Sequence, residues 1–278
     1  MTIMKLTHFR LYSLICCLLL ALSTVAQDRI PKGHCEAKRN VLPGNYNFWL
    51  YTPGDYEPQG HPIPLVIFLH GASLCGHDLS KVRRYGVLDA IDRGKIVPAL
   101  VLAPQNPGGA WSPSKINDLL EWTKQHYQVD TTRVYVLGMS LGGYGTMDFA
   151  GKYPSKVAAA MAFCGGCTLK DMSGLGDLPL WIIHGTADKA IPVAQSKRVV
   201  SFLQGCGKDK LLRYDWLAGG SHGILARMFY LQKTYDWLFA HSTADTPRAV
   251  DKTFDIGYPD INQTYQELKW FKGMFEND

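Results

Sequence analysis

Ser140 sits in "GMSLG", residues 138–142, directly after the apolar run "RVYVL" of residues 133–137. Glycine is costly inside a strand and inside a helix. Two glycines bracketing a serine after an apolar run therefore mark a tight, crowded turn. G-x-S-x-G between a strand and a helix is the nucleophile elbow, in which the backbone bends sharply and lifts the serine hydroxyl above the sheet. A serine hydroxyl is a weak nucleophile and needs a base, and the base needs an orienting acid. Downstream, "HGTAD" ends in Asp188 and "GGSHG" contains His222. The order Ser140, Asp188, His222 is chemistry-bearing only if all three reach one place.

The elements that would bring them there are readable as apolar runs. "NYNFWLYTP" (45–53) reads as a strand, and the runs 63–71, 98–105, 133–140, 156–165 and 178–185 are almost continuously apolar. Such runs fit strands buried on both faces of a parallel sheet. A last strand falls in 210–219. Helical spacing predicts helices over 81–94, 112–127, 144–153, 193–205 and 224–240, with Ser112-Pro113 as a helix start. Strand and helix alternate, which predicts a doubly wound α/β sheet with helices on both faces. Ligands of such sheets bind beyond the carboxyl ends of the strands. Those ends carry His70 to Cys75, "QNPGGAW" (105–111), Ser140, "CGGC" (164–167), Asp188 and His222.

Rivals for each role are present. Asp148 falls on the helix after the elbow, where a solvated role is expected. Asp171 and Asp177 precede their strand and enter from the wrong end, while Asp209 and Asp215 lie at the start of and within the last strand segment. His184, at a strand end, reads as a satisfied core histidine, and His70 as a residue shaping its own loop. Trp111, in a Gly/Pro loop at the ligand edge, is read as a substrate wall, with Ser73 beside it.

In these pieces the chain resembles the α/β-hydrolase superfamily. "NFWLYTP", "FLHGAS", "APQNPGGAW", "GMSLGGYGTMDFA", "LWIIHGTADKAIPV" and "GGSHG" carry the resemblance from about residue 45 to 240. More narrowly, they are similar to small secreted esterases related to poly-hydroxybutyrate depolymerases and to feruloyl and acetyl-xylan esterases. The resemblance implies a mostly parallel sheet with no large lid and a Ser140–His222–Asp188 triad acting through an acyl-enzyme. It implies an oxyanion hole from the Leu141 N–H and, in the loop after "FLHG", the N–H of Ala72 with Ser73 as next choice. No metal or cofactor is expected. The implied substrate is a short or aromatic acyl ester, small or on a polysaccharide. Lysophospholipase, thioesterase and prolyl-oligopeptidase-like peptidase chemistry use the same triad, and a glycan- or partner-binding protein on this fold is the non-enzymatic alternative.

Charge and cysteines bound the setting. The formal net charge is +5, and residues 1–26 hold Lys5 and Arg10 with no acid, so the remainder is close to neutral. With no long basic run, nucleic acid is not an expected partner. A basic start, the apolar run "LYSLICCLLLAL" (11–22) and small residues before Gln27 predict a signal peptide over 1–26 and a secreted or periplasmic chain. The run is short for a membrane span, so no stable insertion is expected after cleavage. Residues 27–278 are expected to form one domain, with a core of about 45–240 and an extension over 241–278 that wraps it. Cys35, Cys75, Cys164, Cys167 and Cys206 follow the signal; five being odd, at least one thiol is free or pairs with another molecule. "CGGC" is expected to be a local disulfide or two buried thiols. The sequence leaves the oligomeric state open.

Overall fold

The computed structural model describes residues 32–264. The predicted signal segment and the last residues of the extension lie outside the described residues. Among those described, no helix is long and apolar enough to cross a membrane.

Eight strands form one sheet. They are β1 (His34–Lys38), β2 (Phe48–Thr52), β3 (Ile63–Leu69), β4 (Leu100–Pro104), β5 (Val129–Met139), β6 (Ala159–Phe163), β7 (Leu180–Gly185) and β8 (Leu212–Leu217). Their spatial order is β1-β2-β4-β3-β5-β6-β7-β8. β1 and β2 run antiparallel at one edge, and β4 through β8 with β3 run parallel. The central strands are apolar throughout because both of their faces are covered. β3 shows the division: Val66 and Phe68 enter one core, and Leu65, Ile67 and Leu69 enter the other.

Helix α1 (Val87–Asp92) and helix α5 (Gln232–Phe239) cover the first face, joined by a 3₁₀ segment over Gly223–Tyr230. Helices α2 (Pro113–His126), α3 (Leu141–Lys152) and α4 (Ala194–Gly205) cover the second. α2 begins where the sequence places it, with Pro113 in its first turn and the Ser112 hydroxyl accepting from the Lys115 N–H at 3.4 Å.

Three elements differ from the sequence reading. The helix expected over 81–94 is broken at Gly86, whose φ is +97° and whose missing Cβ would lie 2.1 Å from the Phe68 ring. Only α1 is α-helical there; Leu79–Arg83 is a 3₁₀ turn. The helix expected over 224–240 is interrupted at the extended Leu231. The Thr234 and Tyr235 hydroxyls take up the Met228 and Phe229 carbonyls at 2.6 and 2.7 Å. Strand β1 lies ahead of the first strand expected. As a part-exposed edge strand it lacks the continuous apolar run that marked the others.

The described part of the extension packs on the domain. Tyr135 donates to the His241 carbonyl at 2.8 Å, and Arg248 donates to the carbonyls of Asp177, Val157 and Ala158. Ile256 and Ile261 are buried in the first core.

The order in which strands are added switches sides at β3, which pairs in parallel with β4 on one side and β5 on the other. The carboxyl ends of β3 and β5 thus flank the switch point where such sheets bind ligands.

Candidate active site

Ser140 follows β5 directly and caps α3. Its backbone is held at φ 60° and ψ −120°, a conformation costly for a residue with a side chain. Its N–H donates to the Phe163 carbonyl of β6 at 2.9 Å. The two glycines are sterically imposed. A Cβ on Gly142 would stand 1.8 Å from the Leu69 carbonyl oxygen, and one on Gly138 would meet the Gly142 and Leu69 oxygens at 2.5 and 2.6 Å. The turn is tight because β3 and α3 press against it from both sides.

Asp188 lies just beyond β7, with a side chain closed to solvent. Its Oδ1 accepts from the N–H groups of Ala190 and Ile191 at 2.8 and 2.9 Å. Its Oδ2 stands 2.7 Å from His222 Nδ1. Burial pushes this carboxyl up, but the Ile191 and Ala190 N–H groups and the His222 ring outweigh it, and its pKa falls below the ordinary value. Asp188 is therefore ionised and acceptor-only, so His222 carries its proton on Nδ1 and its Nε2 is free to take another. The Ser140 hydroxyl makes no hydrogen bond among the described residues.

His184 completes the setting of the acid. Its Nε2 faces the Ile191 carbonyl at 2.9 Å and Asp188 Oδ2 at 3.3 Å. Both only accept, so this nitrogen donates. Its Nδ1 meets the Ser196 hydroxyl of α4 at 2.7 Å. Burial pulls the His184 pKa down, opposed by the Ile191 carbonyl and by Asp188. His184 is a buried histidine with both nitrogens engaged, and one of them supports the candidate acid.

After β3, Gly71 leads into a 3₁₀ turn over Ala72–Leu74. The N–H groups of Ala72 and Leu141 have no hydrogen-bond acceptor among the described residues. Ala72 and Ser73 are exposed. Tyr85, which the sequence reading did not single out, braces this turn: its hydroxyl accepts from the Gly71 N–H at 2.8 Å and meets the Ser73 side chain. Burial raises its pKa, so the phenol stays neutral. His70 anchors the same turn. Its Nε2 accepts from the Asn106 N–H at 3.0 Å and its Nδ1 donates to the Gly71 carbonyl at 2.8 Å. Burial lowers its pKa to about 4, against the Gly71 carbonyl.

Two side chains stand elsewhere than expected. Trp111 is only 3 % exposed, packed edge-on to Tyr46 and His70, with Nε1 donating to the His70 carbonyl at 3.2 Å. A Cβ on Gly145 of α3 would lie 2.7 Å from its ring. It therefore cannot offer a broad face to a substrate; it holds the turn after β3 against α3. Asp148, expected in solvent, is 3 % exposed and accepts from the Thr168 N–H and hydroxyl, both at 2.6 Å. It ties α3 to the segment after β6. Asp215, within β8, faces the Trp181 indole and Arg213 at 2.5 and 3.0 Å, away from His222.

Cys164, the residue after β6, is a neighbour of these groups that sequence reading did not place here. Of the two readings of its motif, a local disulfide or two buried thiols, the second holds: Cys164 and Cys167 are buried free thiols, and the other described cysteines are free as well. Cys164 is fully buried at φ 39°, with the Ser140 N–H against its sulfur. Its sulfur, an Asp188 oxygen and a His222 nitrogen lie within 4.8 Å of one another.

Parts of the chain are similar to known proteins. Residues 110–241 match the family model for phospholipase/carboxylesterase, a span holding Ser140, Asp188 and His222. Acetylxylan esterase A of Emericella nidulans is 25 % identical over 144 residues, which is 45 % of this chain and 45 % of that protein. A bifunctional acetylxylan esterase/xylanase of Neocallimastix patriciarum is 28 % identical over 149 residues, 52 % of this chain and 22 % of its own length. Among solved structures, a thermostable esterase superposes with a TM-score of 0.62 at 26 % identity, over 77 % of this chain and 64 % of that one. A feruloyl esterase module from Clostridium thermocellum, complexed with sinapinate, shares the fold at a TM-score of 0.52 and 14 % identity, over 70 % and 83 % of the two chains. The chain spans less than half the length of the curated relatives it matches, the Emericella nidulans and Neocallimastix patriciarum proteins included.

Proposed function

We propose that this chain, whose sheet and helices form an α/β-hydrolase fold, is a serine esterase that cleaves carboxylic esters through an acyl-enzyme. The observation that carries the reading is the 2.7 Å contact between His222 Nδ1 and a buried, ionised Asp188, on the same sheet edge as the strained Ser140. In this reading His222 Nε2 takes the Ser140 proton as the hydroxyl attacks the ester carbonyl. Asp188 holds the tautomer and balances the imidazolium. The free N–H groups of Leu141 and Ala72 receive the oxyanion. His222 then returns its proton to the leaving alcohol, and water repeats the sequence to release the acid.

The substrate we favour is a short or aromatic acyl ester, on a small molecule or a polysaccharide. Two things support it. The acetylxylan esterases among its relatives act on such esters by name. The chain between Ser140 and Asp188 is taken up by α3, β6, β7 and their turns, with no inserted lid to shelter a long acyl chain. The phospholipase part of the matched family description favours lysophospholipid as the second reading. We propose export through residues 1–26 as the route to such substrates.

Covalent labelling by a fluorophosphonate probe, lost in Ser140→Ala, tests the enzyme reading. A panel of p-nitrophenyl esters, methyl ferulate and acetylated xylan tests the substrate. Preference for acyl chains of about twelve carbons or more would replace the open-site reading with the lipid one.

A further inference from the structure

Cys164 is not needed by the acyl-transfer scheme, yet its sulfur shares a space less than 5 Å wide with the two groups on which that scheme depends. We infer that Cys164, Asp188 and His222 form a binding site for a soft or borderline divalent cation such as Zn²⁺ or Cd²⁺, and that its occupation switches the esterase off. The inference rests on the serine-esterase reading above for its functional consequence, though not for the binding itself.

The donor set is one thiolate sulfur, one imidazole nitrogen and one carboxylate oxygen, the types zinc takes in protein sites. Three protein ligands leave a fourth position for water. The three ligand atoms lie within 4.8 Å of one another. A tetrahedral ion with bonds of roughly 2.0–2.3 Å would draw them closer by about an ångström. His222 can supply that movement, because its side chain is 26 % exposed and its turn is followed by Gly223. Asp188 cannot move far: the Ala190 and Ile191 N–H groups and His184 pin it. That fixed carboxylate and the buried Cys164 make two preset corners. The remaining sulfurs give no such convergence among the described residues.

The chemistry balances without redox change. The cation arrives from solvent, the Cys164 S–H bond breaks, its proton leaves to water, and a metal–sulfur bond forms. Whichever imidazole nitrogen ligates, His222 can no longer accept the Ser140 proton. Ligation through Nε2 occupies the required lone pair. Ligation through Nδ1 leaves the ring's proton on Nε2. Mg²⁺ and Ca²⁺ prefer oxygen ligands and do not compete for this set.

The test uses the full chain freed of metal by chelation. The first readout is the ultraviolet charge-transfer absorption of a cadmium–thiolate bond on titration with Cd²⁺, compared between the wild type and Cys164→Ala; it needs no substrate. The expected result is one equivalent of absorption that Cys164→Ala removes. The second readout is the rate of fluorophosphonate labelling at Ser140. It should fall at least ten-fold with Zn²⁺ or Cd²⁺ at tens of micromolar, recover with chelator, and ignore Mg²⁺ and Ca²⁺. Cys164→Ala should label within about two-fold of the wild type without metal and lose at least ten-fold of the metal sensitivity. If Cys164→Ala does not fold, Cys164→Ser carries the same comparison, and His222→Ala should weaken the cadmium signal. Equal cadmium–thiolate absorption or equal metal sensitivity with and without the Cys164 thiol would overturn the inference. Absent labelling in the metal-free wild type would instead sink the esterase reading, and the cadmium titration would still decide the site.

Discussion

In the proposed mechanism Ser140 and His222 act as a unit, so removing either should cost about as much as removing both. Ser140→Ala and His222→Ala are each expected to lower ester hydrolysis by about three or more powers of ten while the far-ultraviolet spectrum stays native. Asp188→Asn keeps the shape of the acid but not its charge, and should cost about four powers of ten. Asp215→Asn should leave kcat/KM within a few-fold, because that carboxylate faces Trp181 and Arg213. A ranking in which Asp215→Asn is the more damaging would displace Asp188 as the acid. Trp111→Ala is a different kind of change. The indole is buried between Tyr46, His70 and α3. Its removal should cost about 3–5 kcal/mol of stability, read from urea unfolding.

The elbow and its flanking elements make a steric prediction. At Gly142 even a methyl group would strike the Leu69 carbonyl, so β5, α3 and β3 could not keep their spacing. Gly142→Ala should abolish fluorophosphonate labelling and lower the melting temperature. Gly205, at the end of α4, is the control: nothing lies within 4 Å of its added Cβ. Gly205→Ala should be neutral or stabilising by up to about 1 kcal/mol, through the lower helix cost of alanine. Equal damage at both positions would mean that the elbow is not the close-packed turn seen here. Position along an element thus decides what a glycine is worth.

At the scale of the whole molecule, two buried histidines make stability depend on pH. Burial lowers the pKa of His70 to about 4 and that of His241 to about 4, from 6.5. Each binds a proton more readily unfolded than folded. Stability from these groups is therefore fully present above about pH 6.5 and is lost as pH falls towards 4. The two together should remove several kcal/mol over that window, at about 1.4 kcal/mol per pH unit for each group. Urea midpoints measured between pH 7.5 and 4.5 should fall steadily. His241→Asn should flatten the dependence without touching the triad, since His241 packs on Trp237 behind the sheet. An unchanged midpoint across the window would mean that neither histidine is buried in its neutral form.

The sequence by itself determined the sheet and the edge at which Ser140, Asp188 and His222 lie. A strand buried on both faces must be apolar along its whole length. β3 to β7 therefore announced themselves, and Ser140, Asp188 and His222 could be assigned to strand ends without a coordinate. Gly138 and Gly142 told of the elbow because only glycine tolerates that closeness. What the tertiary structure decided were contacts between residues far apart in the chain. Asp148 is polar and mid-helix, which reads as solvated until Thr168 is seen bonding it from the loop after β6. Trp111 lies in a Gly/Pro loop and reads as accessible until α3 closes over it. Gly86 breaks a helix because Phe68 of β3 fills the place of its side chain. Cys164 opens a motif that looks local, and only the pairing of β6, β7 and β8 brings its sulfur to Asp188 and His222. Periodicity reports which face of an element is buried, but it is silent on which distant side chain does the burying.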